Sequence, residues 1–275
     1  MTGPAVQLEG VSFEYPRGPR ALDGVDLGIA TGALVAIVGQ NGSGKSTLVR
    51  HLNGLLRPTA GSVAINGRPV GRRHVADLAR EVGLAFQNPD RQIFAGKVRA
   101  EVAFGPRNLG RRGAELDAVV ERSLAIVGLT GDEDTNPYDL GFSRRKLLAL
   151  ASILAMETPI VILDEPTTGQ DARGISRVQK IVADLSAAGL TVIAVSHDMR
   201  FVAESFQRVI VMRAGRIVLD GTPQAVFAQE SWPALASTYL EPPLAARVGA
   251  RLRLGVATPT EAALVAALAA QGPVR

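Results

Sequence analysis

The chain has 275 residues, 47% apolar and 20% charged, which supplies a sizeable aliphatic core and excludes a disordered chain. It has no cysteine, so a disulfide framework, a thiolate metal site and a catalytic thiol are excluded; its three histidines are too scattered in sequence for a zinc cluster. Thirty basic against 26 acidic residues give a net charge of +4, but no basic run is interleaved with aromatics, so no nucleic-acid partner is expected; the surplus reads as a plain solvated surface, with anionic lipid as its nearest functional reading.

In chain order, the first ten residues carry no basic stretch followed by an apolar run, and no apolar segment reaches the roughly 20 residues that span a bilayer. The chain is therefore expected in the cytosol, serving a membrane only through a membrane protein. Leu34–Val38 reads as a buried strand, followed by a Gly-rich turn and a helix from about Gly44 to Asn53. Val82–Phe86 is a second strand, and Glu115–Val127 a helix with Leu116, Val119, Val120, Leu124 and Val127 at helical spacing. Ile160–Leu163 (strand), Ala172–Ala188 (helix) and Thr191–Val195 (strand) follow, and then Val209–Met212 and Ile217–Leu219 flank the hairpin signal Ala214-Gly215. Thr222-Pro223 reads as an N-cap with proline at the first helical position. The alternation predicts an α/β fold around a mainly parallel sheet. Residues 88–158 are helix-rich between two strands and predict a helical subdomain within a first domain of residues 1–228. Residues 229–275, punctuated by Trp232-Pro233, Pro242-Pro243 and Thr258-Pro259, read as a C-terminal extension ending in an Ala-rich helix, Thr260–Gln271: a dimerisation segment or a partly ordered tail.

Gly39-Gln40-Asn41-Gly42-Ser43-Gly44-Lys45-Ser46-Thr47 satisfies G-x-x-x-x-G-K-S directly after a strand and at the start of a helix. Glycines let the chain wrap a triphosphate so that backbone N–H groups point inward, and the helix N-terminus adds about half a positive charge. Lys45 is placed to reach the β- and γ-phosphates of a nucleoside triphosphate, and the Ser46 hydroxyl to ligate Mg²⁺. Ile160-Val-Ile-Leu-Asp164-Glu165 is an apolar strand ending in two carboxylates, at the end where open α/β sheets bind ligands. Asp164 suits Mg²⁺, and Glu165 suits the base for an attacking water. Thr191–Val195 likewise ends in a polar tip with His197, suited to the γ-phosphate or the water, and Gln87 follows Val82–Phe86 with a neutral amide that suits Mg²⁺ or water.

Together these residues resemble the ABC ATPase family over roughly residues 5 to 228. Gly39–Thr47 is similar to its Walker A, Gln87 to its Q-loop, Ile160–Glu165 to its Walker B, Thr168-Gly-Gln-Asp171 to its D-loop and His197 to its switch histidine. The resemblance implies a P-loop NTPase fold of the ABC type and adenine stacking on Tyr15. Phe86–Ala95 and Glu101–Gly110 resemble the ATPases of energy-coupling factor transporters, importers of vitamins and of metals such as cobalt or nickel. That resemblance implies a transmembrane coupling protein, a substrate-binding membrane component and a second ATPase subunit, identical or not, so that the chain would sit peripherally at the cytoplasmic face of the membrane. The rival expectations are the ATPase of a conventional ABC importer or exporter, and a soluble ABC protein of repair or translation, whose usual coiled-coil insertions and tandem cassettes are missing from this sequence.

One motif departs from the family. Where the resemblance implies Leu-Ser-Gly-Gly-Gln, a segment that caps the partner's ATP, the chain reads Leu140-Gly141-Phe142-Ser143-Arg144. Phe142 cannot give the close backbone approach that glycine gives. Two readings follow: the subunit caps its partner's ATP poorly and the dimer is asymmetric, or Ser143 caps the helix while Arg144 or Arg145 supplies charge to the nucleotide in the manner of an arginine finger.

Overall fold

A computed structural model describes residues 3–16 and 18–270. Among the described residues, ten strands form two sheets. In the first, antiparallel sheet, β1 (Val6–Glu14) lies between β2 (Arg20–Ile29) and β4 (Ala60–Ile65), with the short β5 (Arg68–Pro69) at the far edge. The second sheet has the order β10-β9-β3-β8-β7-β6, from Arg216–Gly221, Arg208–Arg213, Leu34–Val38, Thr191–Val195, Ile160–Asp164 and Val82–Ala85. Its neighbours run parallel except β9 and β10, which are joined by the predicted hairpin; Ala214 (φ 46°) and Gly215 (φ 78°) both adopt the left-handed conformation that a two-residue turn needs.

The parallel strands are buried on both faces, which is why they read as unbroken Val/Ile/Leu runs. Alternate side chains face opposite ways. Val35, Ile37, Ile160, Ile162, Ile193 and Val195 pack toward the antiparallel sheet and helix α1 (Lys45–Leu52). Ala36, Val38, Val161, Leu163, Val192 and Ala194 pack the other way, against α6 (Ala172–Ala187) and α7 (Met199–Ser205) and a core shared with the helical segment. A four-residue helix, α2 (Val75–Leu78), buries Leu78.

The helical subdomain lies between β6 and β7 as expected, built from α3 (Val98–Asn108), α4 (Gly113–Val127) and α5 (Phe142–Leu154). The predicted helix at Glu115 starts two residues earlier, and the strand predicted to end at Phe86 ends at Ala85. Asp171 caps α6 by accepting from Gly174 N–H at 2.7 Å, and Thr222 caps α8 (Pro223–Val226) by accepting from Ala225 N–H at 3.3 Å. In the extension, α9 (Trp232–Ala236) and α10 (Leu244–Arg251) seat Leu235 and Ala246 on the main core. The terminal helix α11 spans Glu261–Ala270 and buries none of its side chains; the predicted end at Gln271 lies outside the described residues.

The antiparallel sheet is not legible in the sequence, because bulges break its alternation. Register shifts between Leu8 and Val11 move β1 out of phase, so Leu8 and Val11 are both buried across an odd interval.

Candidate active site

Strands β3, β8, β7 and β6 are consecutive and parallel, so the segments that leave them emerge along one edge of the sheet. That edge carries the loop after Val38, the turn at Glu165, the Ser196-His197 tip and Gln87. A ligand of an open α/β sheet binds at such an edge.

The loop after β3 is wound tightly. Gly39 (φ 151°), Gly42 (φ 79°) and Gly44 (φ 103°) hold backbone conformations that disfavour a side chain. A β-carbon on Gly39 would collide with the Met212 carbonyl, and one on Gly44 would lie 2.5 Å from the Ala21 carbonyl. Gly44 is the N-cap of α1, so the N–H groups of its first turn face the loop with no side-chain cap. The Ser43 hydroxyl is buried without a hydrogen-bond partner among the described residues, a donor suited to an anion. Gln40 and Asn41 form the outer rim: Asn41 is exposed, and the Gln40 carbonyl accepts from Ser43 N–H at 3.1 Å.

Lys45 is buried and donates from Nζ to the carbonyls of Gly39 at 2.6 Å and Gln40 at 2.9 Å. Burial lowers its pKa, while the carboxylates of Glu165 and Asp164 act to raise it. Both carboxylates therefore lie near enough to Lys45 to act on its charge. Ser46 Oγ stands 3.5 Å from Asp164 Oδ1. Asp164 is buried, and its pKa is raised by desolvation and then by the neighbouring Glu165. Two hard oxygen donors facing each other, one a carboxylate disfavoured as an isolated anion, fit a hard divalent cation such as Mg²⁺. Thr47 sits one residue on, and Tyr15 OH lies 3.1 Å from its Oγ1; Tyr15, half-buried, also meets the Phe13 ring edge-to-face at 4.8 Å.

Glu165 has a left-handed backbone, φ 52°, in which a non-glycine residue costs about 1–3 kcal/mol. Its N–H donates to Val195 O at 2.8 Å, and its side chain is held by His197, with Nδ1 2.7 Å from Oε2, and by the Thr168 hydroxyl at 3.4 Å. His197 is largely exposed while the Glu165 side chain is only 9% accessible, so the ring covers the acid from the solvent side. Asp198 caps α7 by accepting from Phe201 N–H at 3.0 Å, which fixes the backbone beside His197. Gln87 is exposed just past β6; the loop it opens is anchored by Gln92, whose Oε1 accepts from Phe86 N–H at 3.0 Å and whose amide donates to Ala149 O at 2.7 Å.

The degenerate segment behaves differently from its expectation. Helix α5 begins at Phe142 with Gly141 as N-cap and no side-chain cap, so Ser143 does not cap it: lying one residue inside the helix, its hydroxyl donates to Gln170 Oε1 at 2.6 Å. Arg144 is ion-paired with Asp132, and Arg145 donates to Leu140 O at 2.7 Å and pairs with Asp90 at 3.1 Å. Sequence reasoning missed Lys146 as a separate group, because Ser-Arg-Arg-Lys reads as one basic surface. Lys146 is buried, and burial lowers its pKa to about 8, against the pull of Glu165 and Asp164.

A family profile described as ABC transporter matches residues 22–168. The energy-coupling factor transporter ATP-binding protein EcfA of Methanocaldococcus jannaschii is 42% identical over 225 residues, 81% of this chain and 81% of the relative. Its counterpart in Methanothermobacter thermautotrophicus is 42% identical over 224 residues, 81% of this chain and 72% of the relative. Among solved structures, cbiO1 from Clostridium perfringens, described as part of the ABC transporter complex cbiONQ, superposes with a TM-score of 0.76 at 32% identity over 91% of this chain and 99% of that one. A dimeric ATP-binding cassette in a post-hydrolysis state bound to ADP and Pi superposes at 0.73 with 26% identity, over 79% of this chain and 98% of that one.

Proposed function

The chain belongs to the ABC transporter family of ATP-hydrolysing subunits, and from that premise we propose that it powers an importer of the energy-coupling factor type, for a vitamin or a transition metal ion. The observation that carries this reading is the grouping of Lys45, Ser46, Asp164, Glu165 and His197 at the ends of three adjacent parallel strands.

In this reading the amides of Gly39–Thr47 wrap the phosphates of ATP, and the Lys45 ammonium neutralises charge that builds on the γ-phosphoryl group. Ser46 and Asp164 would hold Mg²⁺, with Gln87 as a further candidate donor, and the ion would supply positive charge to the phosphates. Glu165 accepts a proton from the attacking water, and His197 fixes the carboxylate through Oε2. The Tyr15 ring is the platform for adenine. Tyr15→Ala is expected to weaken ATP binding about tenfold and Tyr15→Phe to leave it nearly unchanged, since the stacking energy of about 1–3 kcal/mol resides in the ring. Titration calorimetry checks this, and an unaltered affinity in Tyr15→Ala removes Tyr15 from the site.

The working unit in this scheme is a pair of ATPase subunits, to whose shared nucleotide Arg144, about half exposed and ion-paired with Asp132, would supply charge. Residues 1–228 form the cassette, and residues 229–275 an extension suited to dimerisation. Among the described residues no helix is long and apolar enough to cross a membrane, so attachment at the cytoplasmic face rests on a membrane partner. A docking face is offered beside Gln87: Phe94 and Phe104 are both exposed and stack edge-to-face at 4.7 Å, and Glu101 braces their loop by accepting from the N–H groups of Phe94 and Ala95 at 3.0 and 2.9 Å. Affinity purification of the tagged chain from solubilised membranes is expected to recover a transmembrane coupling protein, a substrate-binding membrane component and a second ATPase copy or homologue. Recovery of ribosomes or DNA instead would replace the transport reading with the soluble one.

A further inference from the structure

The start of α5 grips the chain's own catalytic loop at three points. The Phe142 ring lies over Gly169, where a β-carbon would stand 2.6 Å from it. Ser143 and Gln170 exchange two hydrogen bonds: Ser143 Oγ donates to Oε1 at 2.6 Å, and Nε2 donates to Ser143 O at 3.1 Å. One helical turn on, Lys146 donates from Nζ to the carbonyls of Glu165 and of Thr168, the latter at 2.8 Å. Two of these residues, Phe142 and Ser143, are departures from the Leu-Ser-Gly-Gly-Gln pattern.

The contacts hold the segment 165–170, and one of them, from Lys146, reaches Glu165 itself. Glu165 is held in a left-handed backbone, a conformation that persists only where its surroundings over-determine it. Its N–H is fixed by Val195 of β8, and its carbonyl by Lys146 of α5. The sheet and the helical subdomain therefore each hold one of the two peptide units that flank the Glu165 α-carbon.

We propose that Phe142, Ser143 and Lys146 form a clamp within the subunit, with Lys146 as the positioning residue that sets the Glu165 carboxylate for attack, so that displacement of α5 switches hydrolysis in the same chain. The proposal rests on Glu165 acting as the base. Lys146 acts through the backbone of Glu165 and Thr168. A misplacement of the base on the order of 1 Å is enough to lower a rate by about a hundredfold without loosening substrate.

The test uses the complex purified through a tag on the full chain, with steady-state ATPase kinetics and melting temperature measured together. Lys146→Met keeps the length and removes the donor; it is expected to lower kcat about tenfold or more, with KM for ATP changed less than about twofold. Lys146→Arg, which keeps donors, is expected to recover a large part of the loss. Should Lys146→Met fail to fold, Gln170→Leu breaks the second grip at a less buried position and is expected to lower kcat about threefold at constant KM. A wild-type kcat in whichever of these variants folds, or a loss in which KM rises with the fall in kcat, overturns the clamp. Absence of ATPase activity in the unmodified complex would instead remove the ATPase reading beneath it, so the two failures are told apart.

Discussion

Glu165→Gln is expected to lower the steady-state ATPase rate by about a hundredfold or more while leaving Mg-ATP binding within about threefold. The substitution is nearly isosteric, and the surroundings of Glu165 are mostly indifferent to it. Its backbone contacts, N–H to Val195 and carbonyl from Lys146, do not involve the side chain, and an amide oxygen still accepts from His197 or Thr168. What disappears is the carboxylate that takes the proton of the water. Binding is preserved for a second reason: Glu165 is the charge that, after desolvation, raises the pKa of Asp164. Removing it favours the ionised Asp164, the form that holds a cation. Calorimetry with Mg-ATP and phosphate release on the same preparation check the two halves. Normal turnover would remove Glu165 from its role and, with it, the reason for the clamp.

Lys45→Met addresses binding. It is expected to weaken ATP affinity by about 10-fold to 100-fold or more, since each hydrogen bond to a charged group contributes about 1.5–3 kcal/mol. The nucleotide-free fold is expected to survive. Burial already disfavours the Lys45 cation, so an apolar chain of similar volume removes a desolvated charge and leaves the Gly39 and Gln40 carbonyls to water at the loop. The contrast separates the two variants: both lose turnover, but only Lys45→Met also loses the rise in melting temperature that Mg-ATP confers by mass action. A wild-type thermal shift in Lys45→Met would place the phosphates elsewhere than the Gly39–Thr47 loop.

The residues most legible in the sequence are those whose chemistry is local. Gly39–Thr47 is contiguous, and its glycines are required by the winding of the loop itself, so the positive φ angles of Gly39, Gly42 and Gly44 follow from the motif. Asp164, Glu165 and His197 stand out because each lies at or just past the end of a strand buried on both faces, where a carboxylate or an imidazole fits only at the open, ligand-facing edge of the sheet. That Ser46 and Asp164 meet requires β3 and β7 to flank β8; the alternation of strand and helix predicts a parallel sheet but not that strand order.

What the sequence alone determined was thus the α/β order, the phosphate loop and the acidic tip, because a turn or a strand end constrains its own few residues whatever surrounds it. The tertiary structure decided where the remaining donors point. Ser143, Arg144, Arg145 and Lys146 are consecutive and alike in polarity, but helical geometry turns them about 100° apart, toward the D-loop, Asp132, Leu140 and the Glu165 carbonyl respectively. Partners as distant in sequence as Gln170 from Ser143 and Asp90 from Arg145 are chosen by packing in the tertiary structure, and no local pattern encodes that choice.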